Sequence, residues 1–362
     1  MCFHERTDIA MEKMRVAVIG YGGMGGSHVD SFANSEVVEL AGIWDIDEKR
    51  IEAAKSKGIH AYFSLEDLLS DKSVDIVTIA TPNDVHKDIA ITSMAAGKHV
   101  ICEKPVAMNS SELREMIDAS HKYDRLFTVH QNRRWDNDFI AIRDLCLEGK
   151  LGKVFEINSY VQGSRGVPGD WRKEKEHGGG MMLDWGVHLI DQILQIKKDV
   201  KIDKIFSVSD HITCDEVDDG IKTDIFFEDG TLARVVVGTS NFLSMPRFYV
   251  CGMSGAARIT TWGAVCQVAV CTSWEDEAVK PVKTAAGITK TMAPRDAKTV
   301  EYYDVKLPDS DVHDFYRNVV KAIHGEEEQL VKHDEVMRVM LVMEAAIESD
   351  RIGNCVKFND II

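Results

Sequence analysis

The chain lacks any apolar run long enough to cross a bilayer, so a membrane-spanning protein is not expected. Its 7 prolines and 26 glycines are too few for a collagen-like repeat. Cysteine is sparse and scattered: Cys2, Cys102, Cys146, Cys214, Cys251, Cys266, Cys271 and Cys355 form no CxxC pair and follow no regular spacing. A disulfide framework is therefore not expected, and free thiols in a reducing cytosol are. Positive charge is also short, with 43 Lys and Arg against 59 Asp and Glu, a net charge of -16. An acidic surface repels phosphate backbones, which removes nucleic acid and anionic membranes from the expected partners. Residues 1–13 carry Glu5, Arg6, Asp8 and Glu12 and no apolar stretch. They predict a short flexible extension rather than a secretory signal, and a cytoplasmic protein.

What remains is an ordinary globular composition, 44% hydrophobic and 28% charged, with length for about two domains. The first third alternates β-rich runs at 15–19, 39–44, 74–81, 99–102 and 126–130 with helical stretches such as 47–57 and 86–96. Ser64 and Asp67 have the spacing of a helix cap. This alternation predicts parallel strands joined by crossover helices, a doubly wound sheet ending near Asp136. Beyond a helix at 138–148, strand-like runs dominate at 154–161, 202–212, 222–227, 231–239 and 248–251. Turns such as Glu228-Asp229-Gly230 separate them, so antiparallel pairing is expected. Helices are expected at 181–195, 312–323 and 334–348, and 272–298 reads as a long polar loop. The domain division is thus a 1–13 extension, a nucleotide-binding domain at 14–136 and a second α+β domain at 137–362.

Gly20-Tyr21-Gly22-Gly23-Met24-Gly25 matches GxGxxG directly after a strand, where glycines let a phosphate approach backbone N–H groups at a helix start. Asp45 ends the next strand; its carboxylate suits the ribose hydroxyls and repels a 2′-phosphate, which favours NAD over NADP. Ile46, which follows it, offers such a phosphate nothing. The competing role for Asp45 is a helix cap. Thr81-Pro82-Asn83, with His86 three residues on, stands at a strand end and reads either as cofactor contact or as a turn opening a helix. Glu103-Lys104-Pro105 puts a charged pair against another strand end, where it serves either chemistry or a surface salt bridge.

A second motif runs from Gly178-Gly179-Gly180 to Asp184, His188 and Asp191. Asp184 and His188 share one face of a helix, and a carboxylate beside an imidazole suits a general base. A metal site is the weaker alternative, since no HExxH or Cys/His cluster supplies further ligands. A buried structural pair is the other.

Taken together, the GxGxxG, Asp45, TPNxxH, EKP and GGGxxxDxGxHxxD motifs resemble the Gfo/Idh/MocA oxidoreductases, in order and spacing over most of the chain. The resemblance implies a Rossmann domain, then a domain with a large open, mostly antiparallel sheet, with the helix at Asp314-Phe315-Tyr316 packing back on the first. It implies hydride transfer between NAD and a secondary hydroxyl of a sugar, glycoside or cyclitol, glucoside C3 or an inositol carbon, without a metal. Lys104 resembles the family lysine near the reacting oxygen, His188 the acid/base and Asp184 its partner. Glu103, Asn132, Trp171 and Arg172 are expected at the cofactor. Arg133, Gln162 and Arg165 join Lys104, Asp184 and His188 as candidate substrate contacts, and Arg134 completes a group of cations expected near them. Trp171 and Trp185 are candidate platforms for a sugar ring; core packing is the competing role for each and the favoured one for Trp185. The resemblance further implies a homodimer or homotetramer. Two other readings use the same residues: an NAD-retaining, redox-neutral glycosidase-like enzyme, and a non-catalytic NAD- and sugar-binding regulator.

Overall fold

The computed structural model describes residues 13–275, 279–295 and 298–358, so the expected N-terminal extension lies, apart from Lys13, outside the described residues. The chain divides into two compact units. One takes the residues up to Asn132, Glu174–Gly178 and Asp311–Leu341; the other takes Arg133–Lys173, Gly179–Ser310 and the residues from Val342 on.

In the first unit, β1 (Met14–Ile19), α1 (Gly23–Phe32), β2 (Val38–Trp44), α2 (Glu48–Ser56), α3 (Leu65–Ser70), β3 (Ile76–Ile79), α4 (His86–Ala95), β4 (His99–Cys102), α5 (Ser110–Tyr123) and β5 (Phe127–Val129) alternate as expected. The strands are short, apolar and buried, as a sheet covered on both faces requires. They pair in parallel in the order β2-β1-β3-β4-β5. The order reverses between β1 and β3, and the loops leaving those two strands are where a doubly wound sheet holds its ligand. Asp47 caps α2 by accepting the Lys49 N–H at 2.9 Å. Ser64 caps α3 through the Asp67 N–H at 3.1 Å, and Asp67 returns a bond to the Phe63 N–H rather than to Ser64 itself.

In the second unit come α6 (Asn137–Leu147), β6 (Val154–Gln162), α7 (Val187–Ile196), β7 (Ile202–Asp210), β8 (Gly220–Phe227), β9 (Leu232–Gly238), β10 (Phe248–Gly252), β11 (Gly255–Ile259), β12 (Cys266–Cys271), β13 (Val282–Thr284), β14 (Gly287–Thr289) and β15 (Val300–Val305). Near the C-terminus α8 (Asp314–Ile323) belongs to the first unit, α9 (His333–Ile352) passes from the first into the second, and β16 (Val356–Lys357) ends the second. The large sheet runs β15-β12-β11-β10-β6-β9-β8-β7-β16. Ile157, Val235, Ile225 and Val250 are fully buried, and α6 and α7 pack against the sheet.

The sheet is mostly antiparallel, as expected: every described junction but one is antiparallel, and β6 pairs with β9 in parallel, because the β7-β8-β9 meander returns beside β6 in the same direction. Two expectations need correction. The helix expected at 181–195 is not one α-helix; Met182–Gly186 is a π segment and α7 begins only at Val187. The expected loop at 272–298 contains the β13–β14 hairpin, with Gly287 in the positive-φ conformation, φ 137°. Among the described residues, no helix is long and apolar enough to cross a membrane.

Candidate active site

In the first unit, Gly20 sits at φ 92°, and a side chain there would lie 2.6 Å from the Ala80 carbonyl oxygen at the end of β3. Only glycine lets these two strand ends close up. A side chain at Gly25 would collide with the Gly20 carbonyl at 1.8 Å, so the second close approach also demands glycine. Helix α1 begins at Gly23 with no side-chain cap at Gly22 and no acidic residue in its first turn. Its leading N–H groups therefore remain available to an anion, as a pyrophosphate requires.

Asp45 is buried and has three partners. Its carboxylate accepts the Tyr21 N–H at 2.6 Å and the Asp47 N–H at 2.8 Å, and Arg50 Nη1 lies 3.2 Å away. The cap of α2 is Asp47, not Asp45. Arg50 was not anticipated; its guanidinium approaches Gly22 as well, within 3.4 Å of where a side chain would start. Ile46 is almost fully exposed.

At the end of β3, Asn83 is buried and donates Nδ2 to the Gly178 carbonyl at 2.9 Å, while His177 Nδ1 meets Asp84 at 3.1 Å. His86 is fully buried between the TPN and EKP turns, with Nε2 3.0 Å from the Thr81 carbonyl and Nδ1 3.1 Å from the Pro105 carbonyl, its N–H donated to one of the two. Burial pulls its pKa below the usual imidazole value. Thr81 Oγ1, Gln131 Oε1 and Asn132 Oδ1 are buried polar atoms with no hydrogen-bond partner among the described residues. Orphaned polar groups at strand ends beside a glycine turn fit a bound dinucleotide, whose polar groups would satisfy them.

Glu103 does not form a surface salt bridge. Its Oε1 accepts from His28 Nε2 at 2.8 Å and His130 Nδ1 at 2.7 Å, and Oε2 accepts the Lys104 main-chain N–H at 3.2 Å. Lys104 itself is half-buried.

In the second unit, Asp184 lies in the π segment and His188, only 3% exposed, in the first turn of α7. The four-residue spacing thus bridges a π-to-α junction instead of one regular turn; π segments widen a helix locally and are frequent at functional sites. Asp184 Oδ1 is 3.3 Å from Arg172 Nε, and the Arg172 guanidinium lies over the Trp171 ring and pairs with Asp170 at 2.9 Å. The start of this segment is held by Asp218, which sequence reasoning missed: its carboxylate accepts the Met182 N–H at 2.7 Å and its carbonyl the Met181 N–H at 3.0 Å. A side chain at Gly180 would strike the same carboxylate at 2.2 Å. Burial pushes the Asp218 carboxyl up to about 6.

Beside His188, Trp185 packs edge-on to its ring at 5.7 Å, and Arg133 lies between Trp185 and Trp262, 4.2 and 5.4 Å from the ring centres. Trp185 is half-buried rather than a core residue. Arg133 also pairs with Asp136 at 3.0 Å. Arg134 does not join a group of available cations; it is buried in a two-pronged pair with Asp191, at 2.6 and 2.8 Å. Gln162 holds the Met245 N–H at 2.7 Å. Arg165 is exposed and lines a cavity of about 400 Å³ with Ser164, Lys173, Thr213 and Phe242.

Comparison with known proteins agrees with this geometry. A family described as an oxidoreductase family with an NAD-binding Rossmann fold matches residues 14–131, and the Gfo/Idh/MocA C-terminal domain matches residues 139–258. The crystal structure of an NAD-binding protein from Listeria innocua superposes with a TM-score of 0.92 at 40% identity, covering 96% of this chain and 100% of that one. The uncharacterized oxidoreductase YdgJ of Escherichia coli (strain K12) is 33% identical over 187 residues, 51% of this chain and 54% of that protein. The scyllo-inositol 2-dehydrogenase (NADP(+)) IolW of Bacillus subtilis (strain 168) is 30% identical over 190 residues, 51% of this chain and 52% of that protein. The matched stretches thus span about half the length of these two curated relatives. The full-length match to the Listeria protein and the two successive domain matches place the chain in the Gfo/Idh/MocA family of NAD-binding oxidoreductases.

Proposed function

We propose that this protein is an NAD-dependent dehydrogenase acting on a secondary hydroxyl of a cyclitol, sugar or glycoside. The observation that carries the reading is the placement of Asp184 and the buried His188 four residues apart across a π-to-α junction, in a chain whose first unit bears the dinucleotide turn and the EKP lysine. NAD, when bound, supplies the hydride acceptor. An alcohol gives up hydride only as its proton leaves, so His188 takes that proton and Lys104 stabilises the growing oxyanion. Asp184 orients His188 and is itself restrained by Arg172. Gly20 to Gly25, Asp45, Thr81, Pro82, Asn83 and Asn132 serve the cofactor, a role the resemblance also implies for Trp171 and Arg172. The buried His86, with one ring nitrogen facing each of the Thr81 and Pro105 carbonyls and an N–H for one of them, acts by packing between two of these turns rather than by touching the ligand.

Cyclitols are the leading substrate class, supported by the inositol dehydrogenase activity named for a relative and by the half-exposed Trp262 and Trp185 near His188, flat apolar faces for a ring. Arg133 is paired with Asp136, which suits hydroxyls better than a second anion. The named relative uses NADP, whereas a buried carboxylate at Asp45 opposes a 2′-phosphate, so NAD remains the proposed cofactor. The partly exposed Tyr249 and the exposed Tyr302 on the open sheet face support assembly into a dimer or tetramer.

The test is mass spectrometry of the protein incubated with NAD or NADP and a panel of inositols, free sugars and glycosides. Loss of two hydrogens from one compound, with NADH formed, is the expected outcome. Release of an aglycone without NADH would replace the reading by redox-neutral glycoside cleavage. Bound NAD with no change in any compound would replace it by a sensor. Lys104→Ala and His188→Ala are each expected to lose about 10²–10⁴-fold in kcat with NAD affinity retained; near-normal turnover by both would sink the mechanism.

A further inference from the structure

Glu103 is 4% exposed, in a place where a lone carboxylate would take up a proton rather than stay charged. Four elements converge on it: His28 from α1, His130 beyond β5, Tyr316 from α8, and its own turn after β4. One oxygen, Oε1, receives both imidazoles, at 2.8 and 2.7 Å; the other receives the main-chain N–H of Lys104. Because His28 Nε2 donates to the carboxylate, His28 Nδ1 is the acceptor for the Tyr316 hydroxyl, which fixes that ring as its Nε2–H tautomer. His130 is correspondingly fixed with its hydrogen on Nδ1. The two rings lie 4.6 Å apart, and His130 is backed by Phe315 at 5.0 Å.

We propose that the His28–Glu103–His130 cluster is a positioning device, a buried clamp that keeps Glu103 ionised so that its second oxygen fixes the backbone of Lys104. The inference rests on the reading of Lys104 as the group beside the reacting oxygen. Burial raises the Glu103 carboxyl, but the two imidazoles outweigh it and hold it well below the usual carboxylate range. Burial also holds His28 below the usual imidazole value. The other ionisable groups facing the carboxylate are Tyr316, His86 and Cys102, with Lys104 on its own turn. The three ligand-type side chains also have the composition of a metal site. Two of their three separations are hydrogen-bond lengths, however, shorter than the roughly 3.3 Å edge that ligands about 2.0–2.1 Å from a tetrahedral zinc would span.

The test compares full-length wild type with His130→Leu, which removes the donor, and His130→Asn, whose amide nitrogen occupies the place of Nδ1. Hydrogen exchange of the Lys104 amide, read by mass spectrometry, is expected to be about tenfold faster in His130→Leu at the same pH, and restored toward wild type in His130→Asn. On a turned-over polyol, kcat/KM of His130→Leu is expected to gain an acid limb that wild type lacks, as its less supported carboxylate protonates. Should His130→Leu fail to fold, His28→Gln, which keeps an Nε2-like donor, against His28→Leu asks the same question. Equal loss of protection in donor-keeping and donor-lacking variants, unchanged protection in both, or stoichiometric zinc in the purified protein would overturn the clamp. If no polyol is turned over, the substrate reading falls while the exchange measurement still decides the clamp.

Discussion

Asp45 has more to do than meet a ribose. Its carboxylate already pins the Tyr21 N–H inside the glycine turn and faces the Arg50 guanidinium. Asp45→Ala therefore removes a ribose acceptor and loosens the turn that receives the pyrophosphate. NAD affinity is expected to fall about tenfold, from the loss of a charge-assisted bond, and NADP affinity to fall less, because a repulsive charge goes too. Fluorescence titration with both cofactors checks this. Equal losses would leave Asp45 as a turn-holder with no part in selectivity. At this scale the sequence was legible where a residue type is forced by local backbone, as at Gly20 and Gly25. It was silent where the partner is distant: Glu103 meets His28 75 positions away and His130 27 positions away, and no periodicity encodes those meetings.

In the first unit helices and strands emerged from the apolar periods nearly where expected, since a buried strand such as Ile76–Ile79 can be little else, whereas β11, β12, β15 and β16 of the second unit match no expected run. The π segment at Met182–Gly186 did not, because propensity does not distinguish an added residue in a turn from a regular one. What secures its start is Asp218, in an acidic stretch that reads locally as a turn. Its carboxyl is raised to about 6 by burial, with the nearby His211 acting weakly in the opposite sense. A raised carboxyl means that the folded state holds the proton more tightly than the unfolded one. The resulting stability is fully present below the ordinary carboxylate pKa of about 4 and is lost as pH rises through about 6. Asp218→Asn keeps an acceptor for the Met182 N–H without a charge to bury. It is expected to lower Tm least, or to raise it, at about pH 8, while Asp218→Ala loses the cap and about 1 kcal/mol. Thermal unfolding of wild type and Asn variant from about pH 4 to 8 decides the point. Parallel curves would mean that Asp218 does not titrate in this range.

At the scale of the whole molecule, the wide sheet of the second unit raises the matter of assembly. One face carries the buried Ile157, Val235 and Val250, while the other presents a cross-strand row of Asp224, Arg234, Asn158, Tyr249, Arg258, Gln267 and Asp304. Tyr302, 70% exposed, stands beside this row, and together with Tyr249, Arg258 and Gln267 it lines a hollow of about 610 Å³. Aromatic and arginine side chains on an otherwise polar strand face are the composition of a protein–protein contact, and a two-fold axis would let the same row meet itself. The salt-tolerant part of such a contact rests on the two tyrosines, since Arg234 is already spent on Asp224, at 2.6 and 2.7 Å. Light scattering after size exclusion is therefore expected to give twice or four times the 40.5 kDa chain mass, little changed by added salt. Tyr249→Asp together with Tyr302→Asp is expected to shift that mass to the monomer, with NAD binding retained because the substitutions leave the first unit untouched. A wild-type monomer at micromolar concentration would refute assembly. A double variant that stays assembled would move the contact off this face.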